Sequence, residues 1–220
     1  SDGFDRAFKD CASSLSGAIG VEGMRMRMFE FEALSMHLPQ GAVQNAETAL
    51  AELRMCKEPN EIANLRRAIQ ISEAALGDMI AKAKSGETEV ALAARLKNAM
   101  LSHGAEGFAF DPIVLSGPNS ADPHGTPGER AVGPGEPLLI DFGASFGGMN
   151  ADITRTFFCE HAPDAYREIY ATVLAANARG KEVAAPDVSC DTLDRETTKL
   201  LAASPFSDMI VHKTGHGLGL

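Results

Sequence analysis

The stretch LLIDFGASFGGMNADITRTFF, Leu138 to Phe158, sets two aspartates, Asp141 and Asp152, inside segments whose Leu, Ile, Phe and Thr content is that of buried strands. Gly147-Gly148 between them is a strong hairpin signal, because glycine tolerates the positive φ of two-residue turns. The stretch therefore reads as a β-hairpin. With Phe146-Gly147 as the loop, the aspartates face each other directly. With Gly147-Gly148 as the loop, residue 141 pairs with 154 and Asp152 sits one diagonal step away. Both registers put the carboxylates on one face, since side chains alternate with period two; a three-residue loop would separate them. Carboxylates so placed have Cβ atoms roughly 4.5 to 8 Å apart, and like charges at that range destabilise a sheet unless a shared proton or a cation neutralises them. The plainer alternative is an aspartate that decorates a strand end near solvent.

The rest of the chain narrows the choice. Its 220 residues leave room for one large domain or two small ones, and 45% hydrophobic with 23% charged residues is ordinary for a soluble globular protein. The net charge of −10 and the lack of any Lys/Arg cluster beyond Arg66-Arg67 argue against a general nucleic-acid binder and favour small molecules or peptides as partners. Cys11, Cys56, Cys159 and Cys190 show no CxxC spacing, and neither a signal peptide nor a membrane-spanning apolar run is present, which points to a reduced, cytoplasmic protein without a membrane partner. The chain opens SDGFDRAF without an initiator Met and closes on GHGLGL, so it reads as a piece cut at both ends.

Periodicity predicts helices over 4–16, 27–37 and 45–55, with a short strand over 18–22. KEPNE at 57–61 then punctuates the chain, and a domain boundary is placed near residue 56. Pro59 suits the first turn of a new helix. The spacing of Ile62, Leu65, Ile69, Leu76, Ile80 and Ala83 marks that helix as amphipathic to about Lys84. Another helix is predicted from Thr88 to about Ser102, followed by a strand over 112–116, the loop GPNSADPHGTPGERAVGPGEP, the hairpin, and helices over 163–178 and 188–203. This order implies an α+β fold with helices on a mostly antiparallel sheet.

A second chemical stretch is HKTGHGLGL at 212–220. His212 and His216 are four apart, but Gly215, Gly217 and Gly219 argue against a helix. Glycines on both sides of His216 allow close approach by backbone or ligand. Neutral imidazole is a common partner of carboxylates around Zn, Mn, Co or Fe, although a histidine in a Gly-rich segment is more often a plain surface residue.

Together, DFG at 141–143, NADITRTF at 150–157, PHG at 123–125 and HKTGHGLG at 212–219 resemble the signature segments of the pita-bread metallopeptidases, the family of aminopeptidase P, prolidase and methionine aminopeptidase. The resemblance runs from about Ala51 to Leu220. IGVEG followed by LAELRMCKEPNEIANLRRA also resembles the junction between the creatinase-type N-terminal domain and the catalytic domain of aminopeptidase P and prolidase, which favours that branch.

The resemblance implies an α+β pita-bread (creatinase/aminopeptidase) fold, incomplete at its C-terminal end, with 1–55 the remnant of a creatinase-type N-terminal domain and 56–220 an incomplete catalytic domain. It implies two divalent metal ions, Mn, Co or Zn: Asp141 would bind one, Asp152 would bridge both and His216 would ligate the other. His124 and His212 would contact substrate and the tetrahedral intermediate. Arg130 is a further candidate, and Arg155 is expected to hold the hairpin by a salt bridge. The implied activity is hydrolysis of the bond preceding proline, as a Xaa-Pro aminopeptidase or Xaa-Pro dipeptidase, on peptides with proline at the second position, in a homodimer. The alternatives are creatinase-like C–N hydrolysis or a lyase on the same fold, and a metal-free peptide-binding module; facing carboxylates speak against the last. Two departures matter. Met149 stands where the family usually has an aromatic residue, and the two glutamates that complete the family's five ligands follow the GHGLG segment, outside these 220 residues. The chain is therefore expected to be inactive alone, with GHGLGL poorly anchored, the His124 loop loosely placed and one aspartate of raised pKa.

Overall fold

Residues 2–220 are described by a computed structural model, and they fall into two units that divide between Glu58 and Pro59. The first unit runs α1 (Asp2–Ser13), β1 (Ile19–Val21), α2 (Met28–Met36), β2 (Val43–Asn45) and α3 (Glu47–Met55). β1 and β2 pair in parallel, with Ile19 opposite Val43. The strand β2 was not expected. Its cause is local: the Asn45 side chain accepts from the Glu47 amide at 2.9 Å, which satisfies a first-turn donor and keeps the helix from starting earlier. Glu22, just after β1, is clamped by both guanidinium nitrogens of Arg54 on α3.

The second unit holds α4 (Pro59–Ile80), α5 (Glu89–Ser102), β3 (Gly107–Phe108), β4 (Ile113–Ser116), β5 (Pro137–Phe142), β6 (Ala144–Phe146), β7 (Met149–Asn150), β8 (Ile153–Phe158), α6 (Asp164–Val183) and α7 (Cys190–Ala202). The sheets here are antiparallel, in the orders β4-β5-β8 and β3-β6-β7. No described helix is long and apolar enough to cross a membrane.

Pro59 opens α4 as expected, and Leu76, Ile69, Ile80 and Ala83 of the expected stripe pack on the core. Ala68, Ile71, Ala75 and Met79 lie at the centre of the buried face while Ile62 is exposed, because small alanines let the helix approach the sheet closely. Facing it, Leu138, Ile140 and Phe142 of β5 alternate into the same core with Val114 of β4 and Leu92 and Leu96 of α5. Strand alternation then sends Asp141 to the opposite face, which is why a core strand can carry a carboxylate.

The hairpin keeps one register throughout. Phe146 pairs with Met149 across the turn and Phe142 with Ile153 beyond it. The loop is Gly147-Gly148, at φ 55° and 76°, values that suit a two-residue turn and favour glycine. Between β6 and β5 the ribbon bends at Gly143, where an added Cβ would lie 1.7 Å from the Ala151 carbonyl oxygen. Ser72, a buried serine on α4, accepts from the Ala144 amide at 2.9 Å and fixes the bend to the helix. Met149, at the position where an aromatic was expected, is buried beside this turn.

Gly143→Ala should therefore cost stability through forced backbone displacement, by about 1 to 3 kcal/mol or more. Gly77→Ala on the exposed side of α4 meets nothing within 4 Å and should add about 0.5 to 1 kcal/mol. Paired urea unfolding curves of the two variants check both signs.

Candidate active site

Asp141 pairs with Thr154 across β5 and β8, and Asp152 follows β7 just outside the strand ladder. This is the diagonal arrangement of the Gly147-Gly148 register. The Thr154 hydroxyl donates to Asp141 Oδ1 at 2.6 Å, orienting that carboxyl from the neighbouring strand. Burial pushes the Asp141 carboxyl above its ordinary value; the Thr154 hydroxyl opposes this, the Asp152 charge adds to it, and His216 opposes it again. Thr154 escaped the sequence reading, although the register that pairs 141 with 154 was the signal that could have found it.

The HKTGHGLGL segment comes back to the hairpin. Asn150 donates to the Gly219 carbonyl at 2.8 Å in an antiparallel bridge, and Gly219 is buried. The end of this segment is therefore anchored, contrary to expectation, because the hairpin offers it an edge. Farther back, the Thr214 amide donates to Asp194 Oδ1 of α7 at 2.9 Å. His216 Nε2 lies 3.2 Å from Asp152 Oδ2. The other ring nitrogen, Nδ1, is 2.8 Å from the Gly217 carbonyl. A carbonyl only accepts, so Nδ1 carries a hydrogen, and in a neutral ring the Nε2 lone pair would then aim at a carboxylate oxygen. Two lone pairs facing at that distance call for a proton or a cation between them.

A cavity of about 700 Å³ opens beside the aspartates. Asp141, Asp152 and His124 supply its polar wall, and Val90, Ala93, Phe110, Pro112, Ile113 and Pro123 are among its apolar lining. Lys97 of α5 also lines it and pairs there with Asp111 at 2.8 Å. His124 sits in an Asx turn, its amide donating to Asp122 Oδ1 at 3.0 Å, and its loop is firmly held, contrary to expectation, by contacts described below. Asp141, Asp152, His216 and His124 thus come together. His212 is exposed on the irregular run before Gly215, its Nδ1 donating to the Lys213 carbonyl at 2.8 Å. Arg155 makes no ion pair among the described residues; it is exposed and donates to the Thr154 carbonyl at 2.8 Å, since its position on β8 points it to solvent. Arg130 serves the loop instead, clasping Glu136 and donating from Nε to the Ser116 carbonyl at 3.2 Å.

Among the described residues no three His, Cys, Asp or Glu side chains already enclose a point that could hold a metal ion. The chemistry of the donors nevertheless fits one. Two carboxylates share one wall, the more buried resists ionisation, and an imidazole presents its free lone pair to the other. Hard oxygens plus one imidazole suit a divalent ion.

Residues 63–220 match Metallopeptidase family M24, and the chain belongs to that family. It is 34% identical over 174 residues to the Xaa-Pro dipeptidase of Pyrococcus furiosus, covering 79% of this chain and 50% of that protein. Among solved structures, the X-Pro aminopeptidase of Thermotoga maritima superimposes with a TM-score of 0.91 at 32% identity, covering 99% of this chain and 61% of that one. The prolidase from Pyrococcus furiosus does so with a TM-score of 0.90 at 30% identity, covering 98% and 63%. The α+β architecture is thus the pita-bread fold. The chain spans about half the length of the curated relatives it matches.

The raised Asp141 pKa fixes a pH dependence. Because the folded chain holds this proton more tightly than the unfolded one, with its ordinary value of 3.8, the associated stability is full below that value and is lost as pH rises through the folded pKa. In metal-free buffer the unfolding free energy should fall across this window relative to Asp141→Asn. Denaturant titrations between about pH 3 and 6 provide the comparison, and superimposable profiles would remove Asp141 from the account.

Proposed function

We propose that this chain serves a metal-dependent peptidase that hydrolyses the bond preceding proline. The observation that carries the reading is a cavity lined by Asp141, Asp152 and His124, with His216 meeting Asp152 at 3.2 Å, in a chain of a metallopeptidase family. Asp141 would hold one divalent ion, Asp152 would bridge to a second, and His216 would bind through Nε2, its Nδ1–H fixed by the Gly217 carbonyl. The ions, Mn, Co or Zn, would supply an activated water and polarise the scissile carbonyl.

The chain's own residues do the rest. Thr154 aims Asp141, whose carboxyl is made reluctant to ionise by burial and by the neighbouring Asp152. His124, on the cavity wall, would donate to the substrate carbonyl where negative charge develops. We assign exposed His212 to the substrate as well, as the motif resemblance implies. The apolar lining, with Val90, Phe110, Pro112 and Ile113, suits a proline ring and a short apolar side chain and excludes water around them. The names of the similar proteins, a Xaa-Pro dipeptidase and an X-Pro aminopeptidase, support a peptide with proline at the second position. The same reading extends to a homodimer in the cytoplasm.

In the chain extended to its natural end, chelation should abolish cleavage of Xaa-Pro dipeptides and Xaa-Pro tripeptides, and Mn, Co or Zn should restore it. Asp152→Asn should lower the rate by more than about 100-fold, beyond the usual effect of losing an outer-shell partner. Turnover by metal-stripped Asp152→Asn would refute the mechanism, and turnover of only small C–N substrates would move the function to the creatinase-like alternative. Independently of rate, Thr154→Val should weaken Mn binding by about 10 to 100-fold in calorimetric titration, because Asp141 loses the hydroxyl that orients it.

A further inference from the structure

Glu89 is a fully buried carboxylate that the scheme above leaves unused. It stands in the first turn of α5, directly after the N-cap Thr88. Its Oε1 accepts from the Ser116 amide at 2.7 Å, the Ser116 hydroxyl at 2.9 Å and Asn119 Nδ2 at 3.1 Å. Its Oε2 accepts from Asn119 Nδ2 at 3.2 Å and the Gly128 amide at 3.1 Å. A carboxylate offers about four lone-pair sites, so its capacity is filled by neutral donors. The partial positive charge of the helix N-terminus adds to its stabilisation.

The donors are not scattered. Ser116 and Asn119 lie immediately before the His124 segment and Gly128 immediately after it. The backbone repeats the arrangement: the Glu89 amide donates to the Arg130 carbonyl and the Val90 amide to the Gly128 carbonyl, each at 3.0 Å. Gly128 is thereby held through both its N–H and its C=O. The arc between these anchors contains Pro123, His124, Gly125, Thr126 and Pro127, all on the cavity wall. A single side chain therefore brackets the loop segment that faces the aspartates.

We propose that Glu89 is the positioning residue for His124, setting where that imidazole stands relative to Asp141 and Asp152. The proposal rests on the reading of His124 as a substrate contact. Glu89 itself touches neither substrate nor metal. It acts through acceptor count. Glutamine in its place keeps the shape but turns one acceptor oxygen into a donor, which must then oppose either Ser116 or the Asn119 and Gly128 donors.

The test is Glu89→Gln in the chain as it stands, followed by amide hydrogen exchange and by NMR of ring-labelled histidines. The Gly128 and His124 amides should exchange at least about tenfold faster while Ile140, in the core of β5, stays within about twofold of its original rate. The His124 ring resonances should shift as the ring changes place relative to Asp141 and Asp152. In the metal-loaded natural enzyme kcat/KM should fall, and Glu89→Gln combined with His124→Ala should be no worse than His124→Ala alone. Unchanged Gly128 exchange and His124 resonances in a folded variant would overturn the proposal, and so would an equal acceleration at Ile140. Should Glu89→Gln fail to fold, Asn119→Ala decides by the same readouts; failure of both would assign the carboxylate to the fold itself and overturn the positioning role. Full activity of His124→Ala beside a shifted His124 resonance in Glu89→Gln would defeat the reading of His124 while leaving the placement by Glu89 intact.

Discussion

The contact between Gly143 and the Ala151 carbonyl is the constraint on which the site depends. The oxygen occupies the space any side chain at 143 would need, so the two hairpin arms can approach there only over a glycine. The ribbon bends at that point. Its tip, β6 and β7, departs from the β4-β5-β8 sheet, and the bend lifts Asp152 out of the ladder that still contains Asp141. A flat hairpin of the same register would leave Asp152 as an ordinary strand residue. Ser72 holds the bend from the helix side by accepting the Ala144 amide, and its own hydroxyl donates to the Ala68 carbonyl at 2.8 Å. A buried serine in an apolar stripe is thus satisfied twice over, as burial of a polar group requires.

The unit contains two solutions to placing acid inside a protein. Glu89 is surrounded by amide and hydroxyl donors and by a helix N-terminus, so its negative charge is stabilised without any countercharge. Asp141 has one hydroxyl donor and a second carboxylate as neighbour, and its burial works against ionisation. The first arrangement is complete as built. The second is complete only when a proton or a cation joins it. That asymmetry separates a carboxylate that holds structure from carboxylates available for chemistry, and it does so on hydrogen-bond partners alone.

Much of this was legible in the sequence because local rules decided it. The glycine pair fixed the turn, period-two alternation put Asp141 and Asp152 on one face, and Pro59 with the KEPNE break marked the start of α4. What could not be read depended on distant neighbours. Glu89 follows Thr88 in a pattern that would serve equally well for a solvated first turn, and only the fold reveals that β4 and the loop close over it. The expected stripe of α4 does pack on the core apart from Ile62, but its most buried positions, Ala68 and Ala75, depend on how closely the sheet approaches. The loop around His124 was expected to be loosely placed, and only the fold shows its Gly128 and Arg130 carbonyls accepting from the first amides of α5. Arg155 was assigned a salt bridge on charge alone, whereas β8 turns it to solvent.

The position of His216 follows from the same hairpin. The antiparallel bridge of Asn150 with Gly219 ties the two chemical stretches two residues before Asp152 and three residues after His216. Past that tie the two side chains meet, His216 Nε2 standing 3.2 Å from Asp152 Oδ2. Gly217, between them, lends its carbonyl to His216 Nδ1, and this one bond selects the tautomer whose free lone pair faces Asp152. Imidazole and carboxylate are thereby delivered by a backbone contact rather than by each other's charge. The backbone thus brings the pair together without help from a third group.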